Sequence, residues 1–326
     1  MRLLVLGGTH FLGRHVVTAA LARGHEVATF TRGVSGAPPE GARALLGDRD
    51  DPGALPAALQ GWEPELVVDT SCQTRAAARN AAAVLGAVRG YAFVSSLNAY
   101  RNWPPGPIGP EDDEPTWDTE DDDYGPNKAY AERVIGAAVG DGFLTARAGL
   151  ILGPYDPIHR LGWWLDRIAR GGRVVVPAEG MDQPISVIDA RDLADWLVES
   201  AELGRSGAVN AKGPAGMTTL GGLLDVCREV TGSEAEWVPV REEDLLVAGV
   251  QEWVHLPLWL QQEVARTAWD VDTTRAGELE LPSRPLRDSV ADTWAWMQTS
   301  ERPAPPAHRP EPGLPLDLEA KLLAGA

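Results

Sequence analysis

Residues 124–128 read YGPNK, which places a tyrosine and a lysine four positions apart at the expected start of a helix. At that spacing the two side chains share one helix face, where the Lys128 ammonium favours the phenolate of Tyr124 and makes a proton donor or acceptor usable near neutrality. The pair carries weight because lysine is scarce. The chain holds only Lys128, Lys212 and Lys321 beside five tyrosines, so a chance pair at this spacing is expected about one time in twenty. Upstream, FVSSLNAY sets Ser95 and Ser96 at the end of a predicted strand, where open α/β sheets collect their ligands. A hydroxyl there can donate to a carbonyl oxygen, although local backbone is the commoner partner of a serine.

A second constellation lies near the amino terminus. GGTHFLG, residues 7–13, follows the apolar run MRLLVL and precedes a helical pattern. In a strand-turn-helix, Gly7 permits the tight turn, Gly13 lets the helix pack closely on the strand, and the helix N-terminus faces a pyrophosphate. The middle position, nearest the pyrophosphate, is His10 instead of glycine, and its imidazole can turn outward and donate to phosphate. At the end of the next strand, EVATFTRG offers Thr31 and Arg32 where an acidic residue would grip the ribose of NAD. Arg32 can pair bidentately with a 2′-phosphate, so NADP(H) is expected ahead of NAD(H).

These residues need a frame to hold them. Short β-type runs alternate with helical patterns from RLLVL to GYAFVSS, which implies right-handed βαβ units on a parallel sheet. A further strand, FLTARAGLIL, ends at Gly153-Pro154. The expected fold is α/β, a doubly wound parallel sheet of Rossmann type over residues 1–155 with elements around 184–212 returning to it. A smaller α/β substrate part fills 156–326, in which Arg302–Pro315 reads as an extended strap and LDLEAKLLAG as a short docking helix. Leu97–Asp123, rich in Pro, Asp and Glu, reads as a functional loop. A formal charge of −18 disfavours nucleic acid and anionic membrane surfaces. The two cysteines, Cys72 and Cys227, lie far apart outside any CxxC spacing, which fits the cytoplasm and neither a disulfide framework nor structural zinc. No apolar run approaches a membrane span, and the acidic runs EDDE and EDDD read as solvated surface, not as a metal site.

Gly7 and Gly13, GDRD after the third strand, a serine four residues before Tyr100, the Tyr124/Lys128 pair and RAGLILGP occur in an order and spacing that resemble the extended short-chain dehydrogenases/reductases. The resemblance is to the NAD(P)-dependent epimerase/dehydratase branch, including atypical members with a basic residue at the middle glycine, and covers almost the whole chain. One departure is Arg147-Ala148, where that family usually carries Arg-Pro beside the nicotinamide. The resemblance implies that Tyr124 is the catalytic acid or base, that Lys128 orders the nicotinamide ribose, and that Ser96 orients the substrate oxygen. It also implies a cofactor channel of Gly7, Thr9, His10, Phe11, Leu12, Gly13, Thr31, Arg32, Arg49, Thr70, Ser71 and Ser95, with Asp48 near the adenine and Asn98 toward the substrate. Trp103, close after Ser96, is the best-placed aromatic to stack on a substrate.

The leading expectation is an NADP(H)-dependent oxidoreductase acting on a carbonyl or secondary alcohol of a small polar or natural-product-like substrate. A redox-neutral epimerase or dehydratase of a nucleotide sugar, with retained cofactor, stands second. A non-catalytic dinucleotide sensor stands third, with the intact Ser96, Tyr124 and Lys128 counting against it. EWVHLPLWL, residues 252–260, reads as interdomain packing ahead of a lid bearing His255, and Cys72 as a small buried residue. Members of the family often dimerise through the tyrosine-bearing helix, and the Ala-rich stretches 74–89 and 129–138 suit a homodimer or burial within one chain.

Overall fold

Strand β1 (Arg2–Leu6) sends Leu3 and Val5 to one face and Leu4 and Leu6 to the other, and all four are fully buried. A strand apolar on both faces belongs at the centre of a sheet with helices on either side. The computed structural model describes residues 1–303 and 310–325, and it has that arrangement. β1 leads through α1 (Phe11–Ala22) to β2 (Glu26–Thr31) and β3 (Arg43–Leu46), then to α2 (Ala54–Leu59), β4 (Leu66–Asp69), α3 (Arg75–Leu85), β5 (Gly90–Ser96), α4 (Tyr124–Val139) and β6 (Phe143–Ala148). Next come β7 (Leu150–Leu152), α5 (Arg160–Ala169), β8 (Arg173–Pro177), β9 (Pro184–Ile185), β10 (Val187–Asp189), α6 (Ala190–Leu203) and β11 (Gly207–Ala211). The rest is β12 (Thr218–Thr219), α7 (Leu220–Thr231), β13 (Glu236–Val240), α8 (Glu242–Val247), α9 (Gln262–Ala268), α10 (Thr274–Glu278), α11 (Leu286–Thr299) and α12 (Leu316–Gly325).

Seven strands form one parallel sheet in the order β11-β6-β5-β4-β1-β2-β3. The strand order reverses between β1 and β4, so the connections leave on opposite faces and a crevice opens beyond the strands' C-terminal ends. Leu6 pairs with Phe30 on one side and Asp69 on the other, which brings Gly7, Thr31 and Thr70 to the lip of that crevice. α1 and α6 cover one face through Val16, Val17, Leu193 and Leu197, while α3 and α4 cover the other through Ala78, Ala81 and Ile135.

The single strand expected over FLTARAGLIL divides at Gly149. β6 stays in the main sheet, whereas β7 pairs with β10 in a separate parallel ribbon. The reason is close passage of two chains: a Cβ at Gly149 would lie 2.7 Å from Lys212 Cβ, so only glycine lets the backbone bend there. A second core, with Trp164, Val174, Val176, Leu223, Leu224 and Trp259 fully or almost fully buried, gathers around the β8–β13 ribbon. LDLEAKLLAG is α12, held by the buried Arg167–Glu319 ion pair at 2.8 Å. Of the expected proline-rich strap, residues 304–309 lie outside the described residues. No described helix is long and apolar enough to cross a membrane.

Candidate active site

Gly7 and Gly8 leave β1 with φ of +106° and +103°, a region that costs side-chain-bearing residues dearly. A Cβ at Gly7 would sit 2.5 Å from Thr70 Oγ1, and one at Gly13 would sit 2.6 Å from the Gly8 amide nitrogen. The turn is therefore closed down to bare backbone. His10 precedes α1 without capping it by its side chain; the Gly13 amide donates to the His10 carbonyl at 3.0 Å, which leaves the Phe11 and Leu12 amides ahead of it to meet an anion. Burial lowers the His10 imidazole below its ordinary pKa, leaving it neutral near pH 7 with one donor and one acceptor nitrogen. A dinucleotide's pyrophosphate suits this donor set: bare backbone, free amides and an imidazole N–H.

From this turn a cavity of about 960 Å³ runs across the C-terminal ends of the sheet strands. Gly7, Thr9, His10, Phe11, Leu12, Gly13, Thr31, Arg32, Asp48, Arg49, Thr70, Ser71, Ser95, Ser96, Asn98, Trp103, Tyr124 and Lys128 all lie on its wall. Tyr124 opens α4 and is 43 % exposed, while Lys128, one turn on, is 2 % exposed. Lys128 Nζ donates to the Val94 carbonyl at 2.9 Å and stands 5.7 Å from the centre of the Tyr124 ring. Glycine again sets the position: a Cβ at Gly125 would lie 2.2 Å from the Asn98 carbonyl, so the first turn of α4 rests directly on the segment after β5. There Ser96 Oγ accepts from both the backbone and side-chain nitrogens of Asn98, each at 3.2 Å. Its own proton is left to donate.

Two residues expected at the cofactor line the cavity with their side chains also held by neighbours. Arg49 reaches both Asp69 oxygens at 2.6 and 2.7 Å and Ser71 Oγ at 3.0 Å, and Tyr91 donates to the same carboxylate at 2.9 Å. Asp69 is fully buried; burial opposes its ionisation, but Arg49 outweighs it and holds the carboxyl below its usual range. The Arg49 guanidinium thus ties Ser71 on the wall to the buried Asp69. Ser95 likewise turns its hydroxyl to Glu132 Oε1 at 2.5 Å, within a network in which Glu132 pairs with Arg147 at 2.8 Å and Arg147 stacks on Tyr100. At the Arg147-Ala148 departure it is Ala148 that faces the cavity. Arg32 differs from both: exposed at the mouth, it has no ion-pair partner among the described residues. Thr31 Oγ1 steadies that turn by accepting from the Gly33 amide at 3.2 Å.

The segment 252–260 serves two purposes. Leu256, Leu258 and Trp259 are fully buried in the second core, while Trp253 and Leu260 line the cavity. His255 does not, and its Nδ1 accepts from the Gln251 amide. Burial pushes the Cys72 thiol up to about 11, which leaves it unreactive. Sequence reasoning missed Asp156, Arg160, Ser186 and Trp269, which also line the wall, and gave Lys212 no place in it. The one available signal was the scarcity of lysine together with the place of Lys212 directly after a strand, close to the kind of strand end that Ser96 occupies.

Residues 3–211 match the NAD dependent epimerase/dehydratase family. The 2'-dehydrokanamycin reductase of Streptomyces kanamyceticus is 31 % identical over 196 residues, 55 % of this chain and 52 % of the reductase, so the chain spans about half the length of that curated relative. Among solved structures, the Bordetella bronchiseptica enzyme WbmH in complex with NAD+ superimposes with a TM-score of 0.71 at 15 % identity, over 91 % of this chain and 98 % of that one. The UDP-glucose 4-epimerase of Thermotoga maritima with UDP-glucose gives 0.67 at 18 % identity, over 91 % and 99 %. At such identities the likeness is one of fold. With the doubly wound sheet, the glycine turn and a family match that spans most of the sequence, the chain belongs to the NAD-dependent epimerase/dehydratase family of extended short-chain dehydrogenases/reductases.

Proposed function

We propose that the protein is an NADP(H)-dependent oxidoreductase acting on a carbonyl or secondary alcohol of a small polar substrate. The observation that carries this reading is the meeting, in one cavity, of Ser96, Tyr124 and Lys128 with an uncapped helix N-terminus and an unpaired arginine at the mouth. The bound dinucleotide supplies the hydride, and the protein supplies position and electrostatics. The Gly7–Gly13 turn and the first amides of α1 hold the pyrophosphate, and Arg32 holds the 2′-phosphate. Ser96, whose oxygen is already occupied by Asn98, donates its proton to the substrate oxygen and fixes its direction. Tyr124 gives a proton to that oxygen in reduction and takes one in oxidation. The Lys128 ammonium, anchored on the Val94 carbonyl, stabilises negative charge on the phenol oxygen as the proton leaves. Trp103 and Trp253 shield the reacting groups from water.

Similarity to a reductase supports net oxidation or reduction over a redox-neutral epimerisation. The test is to purify the protein, denature it, assay for released nucleotide, and follow NADPH absorbance with a panel of small cyclic and acyclic ketones. The proposal expects nucleotide-free protein and one NADPH consumed per ketone reduced. Tightly retained nucleotide with no net consumption would transfer the assignment to an epimerase.

A further inference from the structure

β11 ends at Ala211, and the next side chain, Lys212, lies on the cavity wall at 4 % exposure. Its Nζ donates to the Trp269 carbonyl at 2.9 Å; its other two N–H groups have no hydrogen-bond partner among the described residues, and no described carboxylate lies within ion-pair distance. Asp270 acts on it only from farther away, and burial pulls its pKa down to about 8, which leaves it mainly charged at neutral pH. A buried cation without a counter-charge is costly and calls for a partner.

Ser186 belongs to the same corner. Leu150 pairs with Val187, the Gly149 amide donates to the Ala211 carbonyl at 3.1 Å, and a Cβ at Gly213 would lie 2.1 Å from the Val187 carbonyl oxygen. The ends of β7, β10 and β11 thus meet, with Gly149 and Gly213 clearing space beside Lys212 and Ser186. Ser186 is 1 % exposed, lines the cavity, and its hydroxyl has no hydrogen-bond partner. Trp103, Trp253 and Trp269 form the apolar surround.

We propose that Lys212 and Ser186 form a subsite for a carboxylate carried by the substrate, next to a ring or chain that packs on these tryptophans. The proposal rests on reading the cavity as an oxidoreductase site. A carboxylate has two oxygens to accept from the ammonium and the hydroxyl together, and it brings the counter-charge that a neutral hydroxyl or amide lacks. The cofactor's pyrophosphate cannot serve this role: β11 is four strands from β1, roughly 19 Å at ordinary strand spacing, beyond the reach of a lysine side chain. Asp156 also lines the cavity, but it makes no ion pair with Lys212; its Oδ1 accepts from the Ile158 amide at 2.9 Å, and burial raises its pKa above the ordinary carboxyl value.

The test uses protein saturated with NADPH and two probes that differ only in charge, cyclohexanecarboxylate and cyclohexanecarboxamide, followed by calorimetry and tryptophan fluorescence. The carboxylate is expected to bind about ten-fold more tightly. That preference disappears in Lys212→Met, persists in Lys212→Arg and falls a few-fold in Ser186→Ala, with NADPH affinity unchanged in each. Should Lys212→Met fail to fold, the arginine and alanine variants decide. Wild-type protein that binds both probes alike, or neither, overturns the proposal. So does a Lys212→Met variant that keeps the preference, or one whose loss of NADPH affinity accounts for the change. Repeating the titration with NADH separates this result from cofactor choice, because a failure of the NADP(H) assignment would leave the probe preference intact.

Discussion

Arg32→Ala removes a guanidinium that is exposed at the cavity mouth and has no ion-pair partner among the described residues. No partner is stranded by its loss, so unfolding free energy should change by no more than about 0.5 kcal/mol. Its effect falls on the ligand. A charge-assisted hydrogen bond is worth about 1.5–3 kcal/mol when sheltered, and exposure with salt screening reduces this to about 1–2 kcal/mol. NADPH affinity should therefore fall about 5- to 30-fold, while NADH, which lacks the 2′-phosphate, should change less than about two-fold. Fluorescence titration of both nucleotides at low and high salt measures the effect, and the NADPH advantage of the parent protein should shrink as salt rises. Equal affinities in the parent, or an unchanged NADPH/NADH ratio in Arg32→Ala, would refute the reasoning.

Asp69→Asn keeps the shape of a fully buried side chain but leaves Arg49 without its counter-charge, and should cost about 3–5 kcal/mol in urea unfolding. Because the folded-state pKa of Asp69 is depressed, its contribution is complete above the unfolded value of about 3.9 and is lost as pH falls through the lower folded value; acid unfolding of the variant should lack that component. Gly13→Ala must push the Gly8 backbone aside and should cost about 1–3 kcal/mol of stability with at least a roughly ten-fold loss of NADPH affinity, whereas His10→Gly should weaken binding only a few-fold and leave melting unchanged. Lys128→Met should lower both NADPH affinity and turnover, and Ser96→Ala should lower turnover alone and by less than loss of the tyrosine hydroxyl, as steady-state kinetics beside binding titrations will show.

The crevice was legible because its signals are local. A short continuous apolar run, a glycine turn and a helical pattern occupy one short stretch, so β1, Gly7–Gly13 and α1 can be read without knowing what packs on them. Ser96 and the Tyr124/Lys128 pair follow from the same logic, since strand ends and helix starts are where motifs announce themselves. Partnerships across the fold were not legible. Nothing in GDRD tells that Arg49 meets a buried carboxylate at position 69, and nothing in FVSS tells that Ser95 meets Glu132 on α4. Lys212 and Ser186 come together only through the β7–β10 ribbon, and the split of FLTARAGLIL at Gly149 that creates it depends on a side chain from β11's far end.

The most direct test of the account is the turnover of Tyr124→Phe. The tyrosine is 43 % exposed and its hydroxyl bonds to no described residue, so the substitution deletes one proton-carrying oxygen and leaves no cavity or stranded partner. With a ketone identified by NADPH consumption, kcat should fall by about 10² to 10⁴ while NADPH affinity and melting temperature stay at parental values. Full turnover in Tyr124→Phe would contradict the tyrosine mechanism and leave only the nucleotide-binding half of the account standing.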